Sequence, residues 1–236
     1  MMQSIPLPDW LALGFFVFVC VFFTWYADHS KWSLGSLPRV MDFHRRRWMG
    51  EMLKREMRMP DALVLGNFVH SAVFFASTAI LVLGGLVAVL GASERALIAI
   101  SALPFVSTPS QEQWALKVVT LICVYIYAFV KFIWAVRLAN YSSVLFNAAP
   151  LAGTAQSERY ADELGKIAGL FGMHFNQGLR ANFFSLAVLG WLINAWVFAV
   201  ATCLVLGVLY RREFRSKSLR VAKNLRDLCA VNEPDA

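Results

Sequence analysis

Charge is scarce in this sequence. Only 16% of its 236 residues are Asp, Glu, Lys or Arg, where a soluble domain carries about a quarter. Apolar residues fill the gap, at 58% of the chain with 19 Phe and 8 Trp, and the mean hydropathy is +0.57. These values exclude an ordinary soluble domain and a disordered chain, and a membrane protein is expected. Cysteine is scarce as well. Cys20, Cys123, Cys203 and Cys229 form no CxxC pair, and three of them lie in apolar runs. That excludes a disulfide scaffold, and the thiols read as packing residues. Walker, GxGxxG, HExxH and GxSxG signatures are missing, so no catalytic residue, metal ligand or cofactor is expected.

What the chain has instead is a series of apolar runs long enough to cross a hydrocarbon core of about 30 Å. The expected spans are 10–27, 62–91, 114–137, 171–193 and 196–210. The first follows a start with no Lys or Arg and has no small-residue cleavage site behind it, so it reads as a retained helix rather than a signal peptide. The last apolar stretch, 183–210, would run about 40 Å as one helix, and charge decides where to divide it. Residues 28–61 carry Lys31, Arg39, Arg45, Arg46, Arg47, Lys54, Arg55 and Arg58, whereas 92–113 carry only Arg95. By the positive-inside bias the first of these segments is cytoplasmic and the amino terminus is outside. The tail 211–236 begins with Arg211, Arg212 and Arg215. An odd number of crossings returns that tail to the cytoplasm, so a break near Asn194 and five crossings are expected, or a re-entrant hairpin with the same outcome.

Ser36-Leu37-Pro38 at one end and Pro60 at the other bracket a helix expected over 38–59. Met41, Trp48, Met49, Met52, Leu53 and Met57 share one face, with Arg46, Arg47, Lys54, Arg55 and Arg58 around the rest. Such a helix either lies in the interface of an anionic leaflet or packs on its own protein. Anionic-lipid contacts are expected at Arg45, Arg46, Arg47, Lys54, Arg58, Arg211 and Arg212. The pI near 9.5 follows from these juxtamembrane charges, and no nucleic-acid partner is expected. A further short helix is expected over 157–166.

No Asp or Glu lies inside any expected span, which argues against carboxylate-based ion coupling. The polar residues near the cytoplasmic ends are Asn67, His70, Lys131, Arg137, Asn140, His174, Asn176 and Arg180. Asn176 and Arg180 stand one turn apart, as do Asn67 and His70, and Arg137 and Asn140. Converged, these cations and amides would suit a phosphate, a carboxylate, a halide or a lipid headgroup better than a metal ion. The alternative is snorkelling cations and amides bonded between helices. Arg180, well inside a span, is expected to find no carboxylate there. Gly84, Ala88 and Ala92 at four-residue spacing offer a close-packing face within the chain or between copies.

The motifs HRRRWM (44–49), LGN (65–67), FFASTAILVLGGL (74–86), KFIWAVRLANY (131–141), HFNQGLRANFF (174–184) and LYRREFRS (209–216) resemble the multi-pass membrane family known as domain of unknown function 599. The resemblance spans nearly the whole chain. It implies a bacterial-type inner-membrane protein of several helices and supplies no activity, cofactor or site residue. The fold expected is an all-α bundle of four to five transmembrane helices in a single membrane domain. Three functional readings remain: an oligomeric channel or transporter for a small anionic solute, an accessory subunit that binds lipid and a larger membrane complex, and a lipid-modifying enzyme, which the lack of a catalytic set disfavours.

Overall fold

Prolines and small polar residues set where the helices begin. In the computed structural model, which describes residues 5–101, 110–150 and 154–231, α1 (Leu7–His29), α2 (Leu37–Leu53) and α3 (Met59–Gly91) each carry a proline in the first turn. The N–H that proline lacks is one that a first turn leaves unbonded anyway. A 3-10 turn (Lys31–Gly35) joins α1 to α2, and α4 (Ser93–Ser101) follows α3. Capping boxes open α5 (Gln111–Asn147), between Ser110 and Gln113, and α6 (Ala155–Gly190), between Thr154 and Ser157. Each box satisfies two otherwise orphaned N–H groups. Asn194 caps α7 (Ala195–Phe214) by accepting from the Val197 N–H at 2.8 Å. After a bend at Arg215 and Ser216 comes α8 (Lys217–Val231).

Three boundaries differ from expectation. The helix expected over 38–59 ends at Leu53, because Pro60 opens α3 rather than stopping α2. The helix that holds the fourth expected span, 171–193, starts at Ala155, ends at Gly190 and absorbs the short helix expected over 157–166; the capping box lies at Thr154, nothing between interrupts the backbone, and this helix is not among the stretches long and apolar enough to cross a membrane. The third span continues to Asn147, ten residues past its expected end at 137. The basic tail is also not free, since α8 packs on α2 through Leu219 and Ala222 against Val40.

The helices form two layers. In the first, α6 runs antiparallel to α5, with Ser185 beside Tyr125, Gly178 beside Phe132 and Tyr160 bonded to the Leu145 carbonyl. A Cβ at Gly178 would lie 2.6 Å from the Phe132 ring, so only glycine admits this ring. Ala128, Ala135, Ala139 and Ala181 are buried along the same faces, and small residues of this kind let apolar helices approach closely. Phe75, Phe132 and Phe175 stack and abut at 5.3–5.8 Å between ring centres. α3 lies along α5 through Leu65 and Phe146 at one end and Phe75 and Phe132 further on. Beyond Ala79 no residue of α3 is buried. α7 returns along α6 and runs parallel to α1, with Phe16 against Phe198 at 5.1 Å and Tyr26 against Phe214 at 5.7 Å.

The second layer is α2, lying on the first half of α6, with α8 on top of it. Gly165, Gly169 and Gly172 make this approach possible. A Cβ at Gly165 would meet the Arg46 backbone at 2.9 Å, and one at Gly169 would overlap the Asp42 carboxylate. Val40, Met49, Met52 and Leu53 of α2 are fully buried here. Four helical stretches, Leu7–His29, Met59–Gly91, Gln111–Asn147 and Ala195–Cys229, are long and apolar enough to cross a membrane. The last of them includes the bend between α7 and α8.

Candidate functional site: two arginines at the buried face of α2

Arg180, about two turns past the close Gly172 contact, sits where α1, α6 and α7 meet and is 2% exposed. It is fully paired. Its Nε and Nη2 donate to the two oxygens of Glu213 at 2.7 and 2.8 Å, and its Nη1 donates to Asp28 Oδ1 at 2.8 Å. Gln177 Nε2 donates to the other Asp28 oxygen at 2.6 Å, and Arg39 donates to the Asp28 main-chain carbonyl at 2.7 Å. Phe23 places its ring 5.8 Å from the guanidinium. The expectation that Arg180 lacks a carboxylate partner is therefore corrected. The partners come from the last turn of α1 and the last turn of α7, just outside the spans read from the sequence. The bidentate fork is the geometry in which arginine binds carboxylate most strongly. With Arg39 counted, the two cations and two carboxylates of the knot balance.

Beside the knot, between α2, α6 and the end of α1, lies a cleft of about 290 Å³. Its lining holds five cations, Arg39, Arg45, Arg46, Lys166 and Arg180, against two carboxylates, Asp28 and Asp42, with Asn176 at the back. Several of these charges are already engaged. Arg46 pairs with Asp42 at 3.3 Å and reaches Asp162 at 3.7 Å, and Lys166 pairs with Asp162 and Glu163 at 2.9 and 2.7 Å. These contacts hold the Asp162 carboxyl below its ordinary range and raise the Lys166 ammonium.

Arg45 is different. Its guanidinium lies against Gly172, where a Cβ would come within 2.5 Å of Nη1. It makes no hydrogen bond or close ion pair with any described residue, and only the field of Asp42 reaches it. Burial lowers its pKa, opposed by Asp42, but an arginine remains charged throughout the physiological range. The cleft thus presents a forked cation with open donors beside Asn176, whose side chain is tied to the Gly172 carbonyl at 2.8 Å.

The other residues expected at this site are dispersed. Asn67 and His70 are exposed on α3, and Asn140 is exposed on α5. Arg137 is exposed too, bonded to Tyr141 at 3.0 Å and stacked on Trp134. Lys131 lies over Tyr127 at 5.3 Å, and His174 abuts Trp134 edge-on with its Nδ1 unpartnered. Of the eight, Asn176 and Arg180 line the cleft.

Among the expected lipid contacts, Arg45 and Arg46 belong to the cleft and Arg47 is half-buried. Lys54 pairs with Glu51 at 3.0 Å. Arg58 holds the Ala149 and Pro150 carbonyls after α5, each at 3.0 Å. Arg211 and Arg212 are exposed, the latter over the Phe183 ring. Two further carboxylates are buried. Asp61, 3% exposed, receives Trp48 and Arg55 and ties α2 to α3. Asp9, at the far end of the bundle, accepts from Trp191 at 2.5 Å near the buried Lys117. Among the described residues, no group of three His, Cys, Asp or Glu is placed to hold a metal.

Helix layering and the cationic cleft together define an all-helical protein with membrane-type apolar helices and a charged pocket at one end. Residues 11–218 match the family model described as "Protein of unknown function, DUF599", and the chain belongs to that family. No curated protein and no solved structure matches it.

Proposed function

We propose that the protein crosses the bacterial inner membrane five times, amino terminus outside, and takes a small phosphate- or carboxylate-bearing anion into the α2/α6 cleft from the cytoplasm, as a channel or transporter. The observation that carries this reading is Arg45, a forked cation with open donors in a cleft where cations outnumber carboxylates. Arg180 is the weaker anchor for an anion, since its charge and three of its five N–H donors are engaged by Glu213 and Asp28.

The α2–α8 contact supports five crossings. Two segments that touch lie on one side of a bilayer, so an even number of crossings separates them. α3, α5 and α7 supply three, and the second half of α6, running beside α5, supplies the fourth. This parity favours a cytoplasmic carboxy terminus, which a carboxy-terminal reporter active only in the cytoplasm tests directly; a signal from outside overturns the topology.

The cleft is tested with purified protein in detergent, titrated with inorganic phosphate against chloride at matched ionic strength. Saturable thermal stabilisation that disappears in Arg45→Gln is expected, together with uptake of labelled phosphate by proteoliposomes. Absence of stabilisation by phosphate, sulfate and simple carboxylates rejects the anion site. Stabilisation without uptake rejects transport and favours the second reading, an accessory subunit of a larger complex. That second reading has its own support: the stretch of α3 beyond Ala79, with Gly84 and Ala88, is unburied and open to a partner or to another copy.

A further inference from the structure

The cleft holds open acceptors as well as an open cation. Of its two carboxylates, Asp28 is engaged through both oxygens, one by Arg180 and the other by Gln177. Asp42 is not. Its Oδ2 accepts from Arg46 at 3.3 Å, while its Oδ1 accepts from no described residue. Neither this oxygen nor any nitrogen of Arg45 is sealed away from solvent, and both residues line the cleft. Asn176, its amide nitrogen bonded to the Gly172 carbonyl, likewise has only an acceptor left to offer.

Opposite charges three residues apart on one helix are placed to close on each other. Here α6 holds them apart. Asp42 Oδ1 rests on Gly169 and the Arg45 guanidinium on Gly172, and these two glycines stand about 4.5 Å apart along the α6 axis. No hydrogen bond or close ion pair joins the two side chains, and only the field of the carboxylate reaches the arginine. A forked donor and a carboxylate acceptor therefore face one space side by side. A group that fills it must accept from the guanidinium and donate to the carboxylate. An oxyanion without protons meets the first demand and is repelled by the second. An oxyanion that carries its own O–H meets both, and an O–H donating to a carboxylate makes a short, strong hydrogen bond.

We infer, building on the anion reading of the cleft, that Asp42 sets its specificity: the anion admitted is a protonated oxyanion of the hydrogen phosphate type, its bare oxygens on Arg45 and its P–OH on Asp42 Oδ1. Inorganic phosphate keeps a proton throughout the physiological range, whereas a phosphomonoester loses its last one at about pH 6. Simple carboxylates are ionised at neutral pH and present no O–H. Sulfate has none either, and it is the sharpest comparison. Above neutrality sulfate and hydrogen phosphate are both tetrahedral dianions, and the proton is the difference between them. Water satisfies Asp42 and Arg45 whichever of the two anions is dissolved in it, so discrimination between them is the mark of a direct contact.

The test titrates full-length protein in detergent with inorganic phosphate and with sulfate, above neutrality and at matched ionic strength, and reads thermal stabilisation. Half-maximal stabilisation by phosphate is expected at a concentration at least about tenfold below that of sulfate, the scale of one hydrogen bond to a charged group. Asp42→Asn, near-isosteric and able to donate through its amide, is expected to strengthen the sulfate response until the two anions act alike. Asp162→Asn removes the same charge from the other carboxylate beside Arg46, outside the cleft lining, and is expected to keep the preference of the parent. Equal responses in the parent, or a preference for sulfate, overturn the inference and leave the anion site standing. An unchanged preference in Asp42→Asn overturns it too, as does loss of preference in Asp162→Asn. No response of the parent to either anion rejects phosphate as the occupant and overturns the inference together with the anion site.

Discussion

Arg180 and Arg45 face the same cleft from opposite walls, and their surroundings have sent them to different ends. Arg180 meets a carboxylate on each of two neighbouring helices, and its charge is cancelled within the fold. Arg45 meets a glycine and the distant field of Asp42, and its charge remains available. The lesson is that burial of an arginine says little about its role until its donors are accounted for. A guanidinium clamped between two carboxylates is a structural joint, and one with no carboxylate in contact is a place where an anion gains something by arriving.

Removing the joint is expected to have the largest effect. Arg180→Gln leaves Glu213 and Asp28 facing each other without a cation, a change that costs about 3–5 kcal/mol when a buried pair is broken. Thermal unfolding in detergent measures it. Glu213→Gln added to Arg180→Gln is expected to cost less than the two changes separately, because the second no longer breaks a pair.

Next comes the glycine seat of the open arginine. Gly172→Ala brings a methyl within 2.5 Å of Arg45 Nη1, the far end of a flexible side chain, so the guanidinium moves aside at a cost of about 1 kcal/mol or less and the phosphate response weakens because the cation has left its place. Arg45→Gln removes the cation altogether, with stability again within about 1 kcal/mol of the parent and no phosphate-dependent stabilisation. The smallest effect is expected at Arg137, exposed on α5 and bonded only to its own helix. Arg137→Gln should shift stability by about 0.5 kcal/mol or less and leave the phosphate titration unchanged, and a loss of response there would mean that the anion site lies on the outer face of α5 instead.

The helical, apolar character of the chain and the interruption before α7 were legible because composition and hydropathy are local properties. Asn194 stands at the cap the break needed. The partners of Arg180 were not legible, because they are 152 and 33 residues away in sequence and sit just beyond the apolar windows used to bound the spans. Glu213 had one available signal, a single acid in the run Arg211-Arg212-Glu213-Phe214-Arg215, one turn from the buried Leu209. Spacing within one helix grouped Asn67 with His70 and Arg137 with Asn140, but spacing does not say which way a face turns, and both pairs turned outward. The glycines 165, 169 and 172 were visible as letters; that an arginine-rich helix would press against them was visible only once α2 was seen lying on α6.

Glu213 also sets the order in which the molecule can be finished. Chains are made and inserted from the amino terminus, so Asp28 and Arg180 are both in place before the last turn of α7 leaves the ribosome. Until then Arg180 holds one carboxylate while its Nε and Nη2 lack their acceptors, and α2 lacks the cover of α8. Biogenesis therefore ends with a locking step in which the final stretch of the chain closes the centre of the bundle and seals its basal layer together. A nascent protein stopped after Tyr210 would carry every apolar helix and still be recognisable to a quality-control protease as unfinished.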